Sequence, residues 1–146
     1  MPTTKPCSVY FLCDSKRCRS YVGYTTHVER RLRQHKGLIK GGARWTASWK
    51  GDVHLISYVT GFQTSRQAMS FEWWAKRYTH HPFPIIRLHD ASKPVHSRWF
   101  KYCSALLHAK FRNVPLTLHL VCPNTHMYYD QLIRVLSAGM SVFVKN

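Results

Sequence analysis

Three residues of this chain, Arg31, His35 and Glu72, have types and placements that call for a chemical explanation. Arg31 and His35 stand four apart in a stretch with helical apolar spacing, so both side chains lie on one face. A guanidinium beside an imidazole is a poor core pair. It suits gripping a phosphate, because Arg offers a planar fork of donors and keeps its charge. The same helix serves equally as a basic face lying on a nucleic acid backbone without chemistry. Glu72 is the only acid between Val53 and His89. Helical spacing puts it among Ala68, Phe71, Ala75 and Tyr78, on a core-facing side. A carboxylate there is costly unless it is paired or bound to a metal. It either meets a buried Arg or holds a hard cation such as Mg²⁺, which takes one or two carboxylates plus water and phosphate oxygens. Tyr10 and Tyr21 add two phenols; each taken singly is an ordinary core tyrosine.

Short elements must bring these residues together. Ser8 to Cys13 is an apolar run that reads as a buried strand, and Asp14 to Arg17 as a turn. Arg19 to Gly23 then completes an antiparallel hairpin. Thr25 or Thr26 is a candidate cap for a helix starting near Val28, with Val28 and Leu32 facing the core. Gly37, or the pair Gly41-Gly42, ends it. Lys40 to Lys50 reads as a Gly-rich, basic and aromatic loop. Asp52 to Phe62 alternates as a third strand. Thr64 with Gln67 forms a capping box for a second helix from Ser65 to about Tyr78. His81-Pro82-Phe83-Pro84 breaks it. Ser97 to Phe111 and Tyr128 to Ala138 carry helical spacing; Leu116 to Val121 and Ser141 to Val144 read as strands. The expected fold is α+β, a small antiparallel three-stranded sheet flanked by helices in the order β-β-α-β-α, followed by an α/β extension. The expected division is residues 6–81 as the catalytic unit, 82–96 as a connection, and 97–146 as an extension packed on the core.

Composition narrows the partner. Twenty-two Lys and Arg against six Asp and Glu give a formal charge of +16 over 146 residues. A field of that sign on so short a chain selects polyanions, and nucleic acid is the commonest. The charge is concentrated: ten basic residues between Lys16 and Lys50 face the single acid Glu29. Arg30, Arg33, Lys36, Lys40, Arg44 and Lys50 are the candidate DNA-binding cations. Apolar residues reach 45%, enough for a core. No run has the roughly 18 to 20 apolar residues of a membrane span, and the N-terminus lacks a secretory h-region. An intracellular protein is expected. Five cysteines without a CxxC pair argue against a disulfide framework and a zinc ribbon; buried free thiols are expected instead.

Ser8-Val9-Tyr10 and Tyr21-Val22-Gly23, eleven residues apart from Tyr to Tyr, resemble the two signature triplets of the GIY-YIG endonuclease superfamily. Gly23, Thr25, Arg31 and His35 follow at that family's spacing, and Glu72 stands in the place of its metal-binding glutamate. The likeness is closest to the Slx branch of structure-specific endonucleases. It is carried by Tyr21 to Thr25, Arg30 to His35, Gly41 to Thr46, Gly61-Phe62 and Phe71-Glu72-Trp73, and further by Ala105-Leu106-Leu107 and Pro115 to Leu118. Two features depart from that pattern. Ser8-Val9 replaces the usual Gly-Ile, a conservative change on a strand. The cysteine pattern does not supply the C-terminal RING-like zinc domain through which eukaryotic Slx enzymes dock on a scaffold protein.

The resemblance implies hydrolysis of branched DNA (flaps, forks, junctions) in repair or recombination, with one Mg²⁺ or Mn²⁺ held by Glu72. It implies a tyrosine phenol as general base, taken as Tyr21, whose ordinary pKa near 10 must fall beside the metal and Arg31. Tyr10 and His35 would orient water or phosphate, or assist proton transfer, and Arg31 would stabilise phosphate charge. Products would carry a 5′-phosphate and a 3′-hydroxyl. Branched DNA is the expected partner, with a scaffold protein as a further one. The expected location is the nucleus or a site of DNA replication, and a streamlined viral genome would suit so compact a chain. Trp45 and Trp49 either stack on unpaired bases or cap the small core. Two other readings remain: a non-catalytic module that binds branched DNA, and a site-specific nuclease of the homing or restriction kind.

Overall fold

The computed structural model describes residues 6–16, 18–77, 94–121 and 141–144. Its elements run β1 (Ser8–Cys13), β2 (Ser20–Thr25), α1 (Val28–His35), α2 (Arg44–Ala47), β3 (His54–Thr60), α3 (Ser65–Arg77), α4 (Pro94–Leu106), a 3-10 turn (Ala109–Phe111), β4 (Thr117–Leu120) and β5 (Ser141–Val144). The β-β-α-β-α order is as expected, and the fold is α+β. The expected helix over Tyr128 to Ala138 and the break at His81 to Pro84 lie outside the described residues.

The sheet is larger than three strands. Its order is β2-β1-β3-β4-β5. The first four strands are antiparallel, and β5 joins β4 in parallel. Leu116 to Val121 and Ser141 to Val144 were expected as strands of an extension; they instead continue the one sheet. Nothing local in either segment announces that pairing, because their partners are distant in sequence.

β1 lies between β2 and β3, and all six of its residues are buried. That burial explains its unbroken apolar run, since a strand covered on both faces does not need alternation. Val9, Phe11 and Cys13 point to one face, into a cluster with Val22, Ile56, Ala68, Phe71, Ala75, Trp99 and Tyr102. This is the side of α3 and α4. The Tyr102 hydroxyl donates to the Val9 carbonyl at 3.0 Å, tying α4 to the central strands. Tyr10 and Leu12 point to the opposite face, with Trp49 and Val53, and with Tyr21, Leu32, Leu55 and Tyr58 packed around them. A register shift between Phe11 and Leu12 marks a bulge against β3.

The helix termini follow local chemistry. α1 is capped by His27, not by Thr25 or Thr26: the His27 Nδ1 accepts from the Arg30 amide at 3.1 Å. Thr25 turns the chain into that cap by accepting from the His27 amide at 3.0 Å. At α3 the Thr64 hydroxyl accepts from the Gln67 amide at 3.1 Å, as a capping box requires. The Gln67 side chain returns one residue further back than expected, to the Gln63 amide at 2.8 Å. The acids are few, and two serve turns. Asp14 accepts from the amides of Cys18 and Arg19, and Asp52 holds Ser15 and His54.

Candidate active site

Tyr10 and Tyr21 come from neighbouring strands and point to the same face. Their ring centroids are 6.2 Å apart. The pairing places Gly23 opposite Tyr10, and a Cβ on Gly23 would lie 2.2 Å from the Tyr10 hydroxyl and 2.9 Å from the Tyr21 ring. A glycine is required here by space, since its backbone is ordinary extended strand. α1 then lays Arg31 and His35 over the two rings. The His35 Nε2 lies 2.8 Å from the Tyr10 hydroxyl, and the Arg31 Nε–H donates to that oxygen at 3.3 Å. Tyr21 packs its ring 4.9 Å from the imidazole.

The Gly-rich segment is folded onto α1 rather than left as a loop. Arg44 to Ala47 form a single helical turn, α2, that was not expected. Gly41 and Gly42 cross close to the end of α1: a Cβ on Gly42 would sit 2.5 Å from the Gln34 carbonyl oxygen. That approach lets the Arg31 Nη1 donate to the Gly41 carbonyl at 2.6 Å and to the Gln34 Oε1 at 2.9 Å. It also brings Thr46, fully buried, to His35: the Thr46 Oγ1 is 2.7 Å from the His35 Nδ1 and donates to the Ala43 carbonyl at 3.1 Å. Sequence reading quoted Thr46 only as part of a motif, because a separation of eleven positions from His35 hides the contact.

Glu72 is reached across the β2 edge of the sheet. α3 packs on β2, and Lys76, one helical turn beyond Glu72, sets its ammonium 5.7 Å from the centre of the Tyr21 ring. The Glu72 side chain is 23% exposed and accepts from the Lys76 Nζ at 2.7 Å. It is therefore neither fully core-facing nor paired with a buried Arg. Its charge contributes to the surroundings of Tyr10. All five expected residues thus converge on one end of the sheet.

Electrostatics separates their states. Burial is the largest influence on Tyr10 and pushes its phenol well above the usual tyrosine range; the Arg31 hydrogen bond opposes this but loses. Tyr10 is therefore held in its protonated form despite the nearby guanidinium. Burial, and then the Arg31 charge, depress His35 to about 4, so the imidazole is neutral at physiological pH. Arg31 itself is opposed by burial, but the hydrogen bonds and partial charges of Tyr10 and Tyr21 outweigh it and raise its pKa.

The surrounding cations face solvent. Arg30, Arg33, Lys40, Arg44 and Lys50 are exposed and Lys36 is half-buried. None of the six pairs with a described acid. Trp49 is not available for stacking on bases: it is 2% exposed and caps the small core beside Tyr10 and Leu12. Trp45 is 52% exposed, its indole N–H donating to the Ser20 carbonyl at 3.2 Å. Among the described residues Cys7, Cys13 and Cys103 are buried and Cys18 is exposed. No described helix is long and apolar enough to cross a membrane.

Two phenols thus come from a hairpin, with Arg31 and His35 of α1 above them and Glu72 supplied from α3. Residues 6–81, just over half of the chain, match the GIY-YIG catalytic domain, and the chain belongs to the GIY-YIG family. Within that family it is similar to the human structure-specific endonuclease subunit SLX1, 34% identical over 121 residues, covering 80% of this chain and 43% of the human one. It is also similar to the subunit of the same name from Aspergillus terreus, 39% identical over 85 residues, or 53% of this chain and 22% of that one. The Xenopus laevis subunit is 34% identical over 107 residues, 68% of this chain and 36% of its own. The chain spans less than half the length of these curated relatives.

Proposed function

We propose that this protein is a metal-dependent endonuclease that hydrolyses phosphodiester bonds at branched DNA, in repair or recombination. The observation that carries this reading is the convergence of Tyr10, Tyr21, Arg31, His35 and Glu72 within a strongly cationic chain. Similarity to subunits named as structure-specific endonucleases supports the choice of branched DNA over a site-specific target.

The donor chemistry fits one hard divalent ion. Among the described residues no group of three His, Cys, Asp or Glu is placed to hold a metal ion. A single carboxylate, partly open to solvent and held by one flexible lysine, suits Mg²⁺ or Mn²⁺, which keep water and phosphate oxygens as their other ligands. Glu72 would hold the ion, which supplies Lewis-acid stabilisation of the phosphate charge.

The chain's own residues do the rest. Arg31 is pinned by Gly41 and Gln34, so its charge is fixed in place before substrate arrives; its role is to stabilise negative charge growing on the phosphate oxygens. Tyr21, only partly buried, acts as general base and takes a proton from the attacking water. The water oxygen forms a new bond to phosphorus and the bond to the 3′ oxygen breaks. That oxygen takes a proton from solvent, leaving a 3′-hydroxyl and a 5′-phosphate. Tyr10, protonated and tethered, orients the water through its oxygen. Arg30, Arg33, Lys36, Lys40, Arg44 and Lys50 hold the backbone, and Trp45 stacks on an unpaired base near the branch. The named subunits imply a second protein for those relatives; here a scaffold partner is an extension of the same reading.

The test is cleavage of flaps, forks, four-way junctions and plain duplex with Mg²⁺ or Mn²⁺, by wild type and by Glu72→Gln. Nicking confined to branched DNA, abolished in Glu72→Gln while binding persists, is expected. Tight binding without cutting in either metal would instead make this a silent binding module.

A further inference from the structure

The geometry points to Thr46 as a positioning residue that fixes the tautomer of His35, holding its Nδ1 protonated so that Nε2 accepts the Tyr10 proton. The argument is a count of hydrogens, made independently from both ends of one buried chain. At one end the Thr46 hydroxyl has a single proton, donated to the Ala43 carbonyl at 3.1 Å. That carbonyl also accepts the Ala47 amide at 3.0 Å, which its two lone pairs allow. The Thr46 oxygen, 2.7 Å from the His35 Nδ1, is then left as an acceptor, and Nδ1 must carry the hydrogen.

At the other end, Tyr10 sits between Arg31 and His35. Arg31 is a donor only, so its 3.3 Å contact uses a lone pair of the Tyr10 oxygen and cannot take the phenol proton. The acceptor within reach is the His35 Nε2, at 2.8 Å. Nε2 is then unprotonated, which in a neutral imidazole again places the hydrogen on Nδ1. Both ends require the same tautomer. His35 and Thr46 are each at most 2% exposed, so solvent offers the imidazole nitrogens no substitute partner.

The consequence deepens the proposed mechanism, on which it rests. With its proton committed to His35 and one lone pair to Arg31, Tyr10 presents its remaining lone pair and orients water as an acceptor. The other tautomer would aim the Nε2 hydrogen at the Tyr10 oxygen and leave the Tyr10 proton without an acceptor, free to turn toward the substrate side. Thr46 thereby separates the duties of the two tyrosines without touching either.

The experiment uses the full chain labelled with ¹⁵N. Long-range ¹H–¹⁵N spectra report the protonation of each imidazole nitrogen, and a His35→Asn variant identifies the His35 signals among the ten histidines. Wild type and Thr46→Ser are expected to show Nδ1 protonated and Nε2 bare. Thr46→Val, which keeps the shape but loses the acceptor, should populate the Nε2-protonated form. It should also lower kcat on branched DNA by about tenfold or more, roughly the effect of 1.4 kcal/mol, with KM within about twofold. An Nε2-protonated His35 in the wild type overturns the inference, as does an unchanged tautomer in Thr46→Val or a Thr46→Ser that behaves like it. If Thr46→Val does not fold, the wild-type and Thr46→Ser spectra still decide. A wild type that shows the expected tautomer but cuts no DNA would sink the proposed function and leave the tautomer assignment standing.

Discussion

Replacing Gly23 by Ala puts one methyl group into the tightest contact of the site. The added Cβ would lie 2.2 Å from the Tyr10 hydroxyl, 2.5 Å from the ring carbon that bears it and 2.9 Å from the Tyr21 ring. To reach ordinary contact the phenol must retreat by about 1 Å. Tyr10 is 2% exposed and its hydroxyl is held by His35 at 2.8 Å and Arg31 at 3.3 Å. It has no open direction, so the retreat breaks at least one of these bonds. Overpacking in such a place costs about 1–3 kcal/mol, and the lost hydrogen bond adds about 1 kcal/mol. A chain of this size should lose roughly 3 °C of Tm per kcal/mol, so a fall of about 6–12 °C is expected. A displacement of about 1 Å at a reacting group lowers rates by about 100-fold. Single-turnover cleavage of a flap, measured below the variant's Tm, should show that loss with DNA affinity unchanged. Melting and cleavage at wild-type values would refute the packing argument, because the methyl group would then have been accommodated freely.

Three further outcomes follow from the same geometry. The folded pKa of His35, about 4, lies below its unfolded value, so its neutral form contributes stability that is complete above about pH 6.5 and is lost as pH falls toward 4. The contribution is at most about 3 kcal/mol, and urea titrations from pH 7 to 4 should fall less steeply with pH in His35→Asn than in wild type. Arg31→Lys keeps the charge but loses the fork that binds Gly41, Gln34 and Tyr10 together; kcat should drop by roughly 100- to 1,000-fold, and a drop under tenfold would show that charge alone suffices. Trp45→Ala should weaken binding to DNA with unpaired bases by about 1–3 kcal/mol while leaving Tm nearly unchanged. Trp49→Ala should do the reverse, destabilising by about 3–5 kcal/mol, and equal effects of the two on binding would contradict their different exposure.

Much of the site was legible because its signals are local. The buried run of β1, the second strand, α1 from Val28 and α3 from Ser65 were all expected near their observed bounds, since apolar periodicity and caps act over a few residues. Arg31 and His35 share a face by helical spacing alone, and the tyrosine triplets carried the family. The errors came where a partner is distant or where an unusual side chain took a local role. His27 took the cap because its ring, not a hydroxyl, met the Arg30 amide. Trp45 and Trp49 were each left between stacking on bases and capping the core; Trp49 is buried in the core while Trp45 is half exposed.

Residue types and spacing by themselves singled out Arg31, His35 and Glu72, the resemblance added Tyr10 and Tyr21, and the charge pointed to a polyanion. Only the tertiary structure decided their states. Strand pairing set Gly23 under Tyr10, burial kept that phenol protonated, and the fold of the Gly-rich segment brought Thr46 to His35. It likewise turned two expected accessory strands into part of one five-stranded sheet. Desolvation, close contact and hydrogen-bond direction depend on atoms far apart in the chain, and they exist only once the chain has closed around the site.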